Sequence, residues 1–273
     1  MVFPSLSQSV VEESYLGNHK STSFTPKIPM NFSVGGYIIK TASCEREIEQ
    51  IIDLREKVFL KEFASGGSER EEDWDQFDEA ADFLIIKSKK TNDVLASYRI
   101  MISDNTSKFY SESEFNISAF LASEGVKLEL SRACVRPDKR TGIAIHLLWK
   151  GIGQLINLTG AKYIFGLSSV KTFNIKAIMD IMAFFDKQGS ILTDWKICPN
   201  SRHSFLDQNL EYHNHGGNDV SELVPPLLRS YVDLGAKVAK FPAMDLDFGC
   251  IDFLTVLDVN TISGSHARKY LMN

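Results

Sequence analysis

The sequence predicts an α/β (α+β) domain: a mixed sheet in which a parallel strand pair parts, with helices flanking it. Three stretches carry that prediction. In the first, Val126, Leu128 and Leu130 alternate with Lys127, Glu129 and Ser131 at the period of a half-buried strand, and Ile145, Leu148, Trp149, Ile152, Leu155 and Ile156 then recur along one stripe of a helix. The second follows at once: AKYIFGL, from Ala161 to Leu167, is a compact apolar strand, and the chain from Lys171 to Lys187 is helical through Ile175, Ile178, Met179, Met182 and Phe185. Strand, helix, strand, helix in close order implies a parallel pair with a right-handed crossover. Where such strands part they leave a crevice at their C-terminal ends, a common place for ligands. In the third stretch, Phe83 to Ile86 and Val94 to Met101 are short strands joined by the turn-rich KSKKTND, an antiparallel hairpin that makes the sheet mixed.

The remaining elements fall in order around these. Residues 1–36 read as an extended or partly disordered arm, rich in Ser, Pro and Lys; 37–260 as one domain; and 261–273 as a tail. Tyr37 to Lys40 should be the first strand, and Glu45 to Phe63 a helix through Ile48, Ile51, Ile52, Val58 and Phe59. Ala64 to Asp82 is a long acidic loop. Phe109 to Leu121 carries aromatics that either cover the core or line an apolar pocket, and core is the default. Ile191, Thr193, Trp195 and Ile197 alternate as a further strand; Pro225-Pro226 opens a short helix with Leu227, Leu228, Tyr231 and Leu234 on its apolar face; the last strand is Asp247 to Val259.

Composition excludes several classes of function. A chain of 273 residues, 44% hydrophobic and 24% charged, can bury a large core without disulfides or metals. Its net charge of -5 offers no general field for nucleic acid, so any anion site must be local. Cys44, Cys134, Cys198 and Cys250 lack CxxC spacing and read as buried thiols in a reducing compartment. His213 and His215 have no partner cluster at zinc spacing, so they read as loop histidines and no metal is expected. With no secretory signal and no membrane span, the expected place is the cytoplasm, with peripheral contact at the inner membrane left open.

Several residues carry potential chemistry, each with an ordinary alternative. The turn Arg136-Pro137-Asp138-Lys139-Arg140-Thr141-Gly142 joins the central strand to its helix, so its backbone NH groups and the helix dipole favour a phosphate; it could equally be a turn with solvated charges. Glu129 and Arg132 are three residues apart and would face opposite ways on a regular strand. A bulge would bring them together, as bulges beside active sites do, whereas an edge strand would leave both solvated. Arg55 and Glu62 fall on the apolar stripe of the first helix, either turned inward as a polar pair or placed at a solvated flank. Asp75 and Asp78 either solvate the acidic loop or meet a cationic group or a basic side chain.

Taken together these residues resemble the N-acyltransferases that make ornithine lipids and related N-acyl amino acids, and more distantly the acyl-homoserine-lactone autoinducer synthases. The resemblance runs from about Tyr37 to Val259: Arg55, Phe59 and Glu62 on the first helix, Asp75 and Asp78 in the loop, Tyr98-Arg99 on the hairpin, Glu129 to Arg132 in ELSRACV, and PPLLRSYVDLGAKV and DLDFGCID downstream. It implies the GNAT-like acyltransferase fold and transfer of a fatty acyl group from an acyl carrier protein thioester to the amine of an amino acid or related amine. Glu129 would be the base and Arg132, the other catalytic residue, would hold the substrate or pin the acidic loop over it, Arg55, Asp75, Asp78 and Arg99 would bind substrate, and Arg136, Lys139, Arg140, Gly142 and Ala144 would hold the donor's phosphate. No cofactor would be permanently bound; the donor is acyl carrier protein or acyl-coenzyme A, and the acyl tail would lie near Phe109 and Phe115. GNAT proteins usually have Arg or Gln where this chain has Lys139, which keeps the charge without the planar fork and favours a single pantetheine phosphate over a diphosphate. An autoinducer synthase, or a non-catalytic binding protein on the same fold, are the alternatives.

Overall fold

The computed structural model describes residues 24–60, 73–206, 220, 223–265 and 270. In chain order the elements are β1 (Asn31–Val34), β2 (Tyr37–Thr41), α1 (Glu45–Arg55) with a π-helical turn Glu56–Leu60, β3 (Asp82–Ser88) and β4 (Val94–Ile102). A 3-10 turn, Tyr110–Ser113, leads to β5 (Phe115–Asn116), α2 (Ser118–Leu121) and the central strand β6 (Lys127–Val135). After the 3-10 turn Pro137–Lys139 come α3 (Gly142–Thr159), β7 (Tyr163–Val170), α4 (Ile175–Lys187), β8 (Ile191–Leu192) and β9 (Cys198–Pro199). The chain closes with α5 (Pro226–Asp233), β10 (Lys237–Ala239), β11 (Ala243–Asp245) and β12 (Cys250–Asp258).

Among the described residues the main sheet runs β1-β2-β3-β4-β6-β7-β12-β10-β8, with β11 on β12. It is mixed, as predicted: β6 and β7 are parallel, joined by α3, while β3 and β4 form the antiparallel hairpin. Alternation along β4 and β6 decides which side each residue faces. Tyr98, Ile100, Leu128 and Leu130 join one core with Leu148, Ile152 and Leu155 of α3. Phe83, Ile85, Phe165 and Phe120 join the opposite core with Ile51 and Leu54 of α1. A third cluster packs α4 on β12 through Ile178, Met182, Phe185 and Phe253. Gly151 lets α3 approach the sheet closely, because a β-carbon there would lie 2.7 Å from Leu84 Cδ1. Asn174 starts α4 by accepting the Ala177 NH at 3.1 Å.

Several expectations are corrected. The sheet begins before Tyr37, since β1 pairs with β2 and Ile28 and Met30 are buried. The stretch from Ile191 to Ile197 is not one strand: β8 ends at Leu192, and Trp195 and Lys196 take positive φ of 60° and 47°, which breaks the alternation. Cys44 is exposed and Cys198 half-buried, so only Cys134 and Cys250 are buried thiols. Phe109 and Phe115 pack in the core and do not line the cavity described below. Glu62, His213 and His215 lie outside the described residues.

Candidate active site

The parallel ladder sets Lys127 opposite Tyr163, Leu128 opposite Ile164 and Glu129 opposite Phe165, and stops there. Beyond its last rung opens a cavity of about 690 Å³, a usual size for a small-molecule site. Its walls are Leu130 to Ala133 of β6, Ile164 to Ser169 of β7, and Leu227, Leu228 and Tyr231 of α5. Tyr98 and Tyr231, both buried in these walls, are joined by a 3.2 Å hydrogen bond between their hydroxyls. Burial pushes both phenols up, so neither ionises near neutrality.

The expected bulge is present. Between β4 and β6 the register slips after Arg99–Ser131, and Arg132 takes φ 51°, so the extra residue lies at Arg132. The slip puts Arg132 on the same side of the sheet as Glu129. Its guanidinium pairs with Asp73 at 3.5 Å and Asp75 at 3.4 Å, and lies 5.0 Å from the Phe248 ring and 5.4 Å from the Tyr110 ring. Arg132 lines the cavity, and its Nε has no hydrogen-bond partner among the described residues.

The predicted substrate-binding residues form a buried ion network beside this bulge. Arg55 donates from Nη1 to Asp78 Oδ1 at 2.9 Å, and Arg99 donates from Nη1 to Asp75 Oδ1 at 2.7 Å with Asp78 at 3.4 Å. The Asp75 NH donates to Asp78 Oδ2 at 2.9 Å. Burial opposes ionisation of Asp75, but the charges of Arg99 and Arg132 outweigh it and hold its carboxyl below the usual range. Arg55, Arg99 and the two aspartates are already paired to one another, and none of them lines the cavity. The inward reading of Arg55 is correct; its partner is Asp78.

Glu129 is fully buried and also does not line the cavity. Its Oε1 accepts from the Ser111 NH at 2.7 Å and the Ser111 hydroxyl at 2.6 Å, and its Oε2 from the Tyr110 NH at 2.9 Å. Burial raises its carboxyl above the usual range despite these donors. The basic turn divides in two. Arg140, Gly142 and Ala144 line the cavity with Thr141, whereas Arg136 is bonded twice to Asp138 at 3.0 Å and Lys139 lies 3.2 Å from the same carboxylate.

Glu114, Asp245 and Asp252, brought together from three separate elements, also line the cavity, and sequence reasoning missed them. The Ser169 hydroxyl donates to Asp252 Oδ1 at 2.5 Å, and Asp245 Oδ1 accepts from the NH groups of Asp247 at 2.9 Å and Phe248 at 3.1 Å. Glu114 Oε2 has no hydrogen-bond partner among the described residues. Burial raises the carboxyls of Glu114 and Asp252, and the neighbouring carboxylates raise Glu114 further. The available signal was Asp252, a carboxylate in the middle of the otherwise apolar run CIDFLTVL.

Residues 54–150 match the acetyltransferase (GNAT) domain family. The L-ornithine N(alpha)-acyltransferase of Rhodobacter capsulatus is 26% identical over 246 residues, covering 86% of this chain and 94% of that protein. The protein of the same name from Agrobacterium fabrum is 26% identical, with 87% and 86% covered. Among solved structures the AHL synthase LasI superposes with a TM-score of 0.47 at 10% identity, covering 86% of this chain and 94% of that one. With its GNAT domain and relatives of this kind along most of its length, the chain is an acyltransferase of the GNAT fold.

Proposed function

We propose that the protein transfers a fatty acyl group from the phosphopantetheine thioester of an acyl carrier protein to the amine of an amino acid, as in aminolipid synthesis. The observation that carries this reading is the cavity between the parting strands, with a basic turn at one wall and carboxylates at another. Relatives named for acyl transfer to L-ornithine support it. The donor's phosphate would sit at Arg140, Gly142 and Ala144, where the start of an 18-residue helix favours an anion. Its pantetheine arm would lie between β6 and β7, and its acyl chain along Leu148, Tyr98 and the α5 wall. Arg132, with its free Nε, would hold the acceptor's carboxylate. Arg55, Arg99, Asp75 and Asp78 would act as the base on which Arg132 rests. Among the described residues no helix is long and apolar enough to cross a membrane. We place the enzyme in the cytoplasm with peripheral membrane contact, where a dissolved donor meets a product that enters lipid.

The test is release of free thiol when L-ornithine or another amino acid is added to enzyme and acyl carrier protein, followed by mass spectrometry of the product. If neither acyl carrier protein nor acyl-coenzyme A shows amine-dependent thiol release, the proposal falls. The choice of donor has its own test. Lys139 and Arg140 are exposed beside the cavity, next to the half-buried Arg136, a basic patch suited to steering an acidic carrier protein. Reversing Lys139 and Arg140 to Glu should raise KM for acyl carrier protein about tenfold or more, with a weaker effect at high salt. Equal losses with acyl-coenzyme A as donor would refute the carrier-protein assignment.

A further inference from the structure

We infer that Glu114, set against Asp252, is the proton acceptor for the incoming amine, and that Glu129 acts through the turn that positions it. The inference rests on the acyl-transfer reading above. Glu114 is 3% exposed and lines the cavity, and its buried Oε2 has no hydrogen-bond partner among the described residues. Its two carboxylate neighbours have their own donors, Asp252 from Ser169 and Asp245 from backbone NH groups. Apart from a proton shared with Asp252, Glu114 has no donor for Oε2 among the described residues, so a donor from the cavity would satisfy it, and an ammonium is the donor that also meets the local negative charge.

The backbone around Glu114 is held from both sides. Glu129 takes the Tyr110 and Ser111 NH groups and the Ser111 hydroxyl, fixing the turn Tyr110–Ser113. The Asn200 side chain donates to the carbonyls of Glu112 at 3.0 Å and Ser113 at 3.2 Å, and the Asn200 NH donates to the Glu114 carbonyl at 2.7 Å. Two clamps on so short a turn fix the direction of the side chain that leaves it, which is what a proton acceptor needs.

The charged and titratable groups facing Glu114 are Asp252 and Cys250 from β12, Asp245 from β11, Arg132 from β6 and Tyr110 from its own turn. Two adjacent buried carboxyls do not both ionise, so at rest the pair Glu114–Asp252 shares one proton and keeps capacity for a second. An acceptor entering as R–NH3+ gives one proton to the pair. The freed lone pair attacks the thioester carbonyl and the C–N bond forms. The C–S bond then breaks with its electron pair on sulfur, the second nitrogen proton goes to that thiolate to give the free thiol, and the pair returns its proton to solvent.

The experiment measures thiol release from palmitoyl-acyl carrier protein with L-ornithine as acceptor. Glu114→Gln has nearly the same shape and loses no hydrogen bond at Oε2, so it should melt within a few degrees of the parent. Its kcat should fall about a hundredfold or more, as for a lost general base, with KM for the carrier protein unchanged. The acid limb of the parent's kcat–pH profile should disappear, and Glu114→Ala should regain activity with added formate. A Glu114→Gln variant that keeps more than a tenth of parental kcat, or a Glu114→Ala variant without formate rescue, overturns the inference and leaves acyl transfer standing. Loss of parental activity on chelation and its return with zinc would also overturn it, assigning the cluster to a metal. If the parent releases no thiol at all, the proposed function falls first and the inference with it.

Discussion

Asp78→Ala should destabilise the protein by about 3–5 kcal/mol, the usual consequence of removing one partner from a buried ion pair. Asp78 is 1% exposed, and its Oδ1 serves Arg55, itself 0% exposed, with Arg99 at 3.4 Å. Among the described residues Arg55 has little to fall back on, since its Nε and Nη2 have no partners there and its other hydrogen bond is a 3.4 Å contact with the Asp73 carbonyl. Without Asp78 the Arg55 charge stays buried with no counter-ion among the described residues. Oδ2 also accepts the Asp75 NH, so residues 73–78 lose their internal brace at the same time. The melting temperature should drop on the order of 10 °C for a domain of this size. A drop of less than about 2 °C would show that the network can be relaxed or hydrated, and that the pair is not a structural support. The family resemblance gave Asp75 and Asp78 to substrate binding; in the structure both are already paired with arginines of the protein.

Gly166→Val should also be damaging, for a steric reason. Gly166 is the first residue of β7 beyond the last parallel rung, and a β-carbon there would overlap the Leu130 carbonyl oxygen of β6. The obstacle is backbone on both sides, so no rotamer relieves it. The strands would have to move apart where they line the cavity. Overpacking of this kind costs about 1–3 kcal/mol and more when backbone must shift. The expected result is a melting temperature several degrees lower, with acyl transfer lost out of proportion to the unfolded fraction. A variant with parental melting temperature and parental KM for the donor would show that the two strands yield freely at this point.

Much of this arrangement was legible because it is local. The odd spacing of Glu129 and Arg132 left either an irregular strand or a solvated edge, and the bulge with its positive φ at Arg132 decides for the first. The arginine on the apolar stripe of α1 was legible too, since a charge there must find a partner. What each residue does was not legible. Glu129 is bound by NH groups of Tyr110 and Ser111, and backbone donors leave no mark in residue identity. Glu114, Asp245 and Asp252 are far apart in sequence and meet only through the topology, β12 lying beside β7 and the Tyr110–Ser113 turn beneath β6. Ile191 to Ile197 failed for the opposite reason. Its alternation is real, but two residues in left-handed conformation turn the chain before a strand can extend.

The sheet is bonded on both sides of the gap between β6 and β7, to β4 on one side and β12 on the other, while the gap itself carries rungs only as far as Glu129 and Phe165. Beyond that point the facing edges of both strands are still written in the geometry of a sheet. An arm with amides spaced along its length, as pantetheine has, would be read by these edges as a missing strand. Binding and folding would then draw on the same hydrogen bonds, and the acyl donor would act as a removable piece of the protein's own architecture. The enzyme should be stiffest and hardest to melt while it holds a donor, and each turnover would undo that reinforcement.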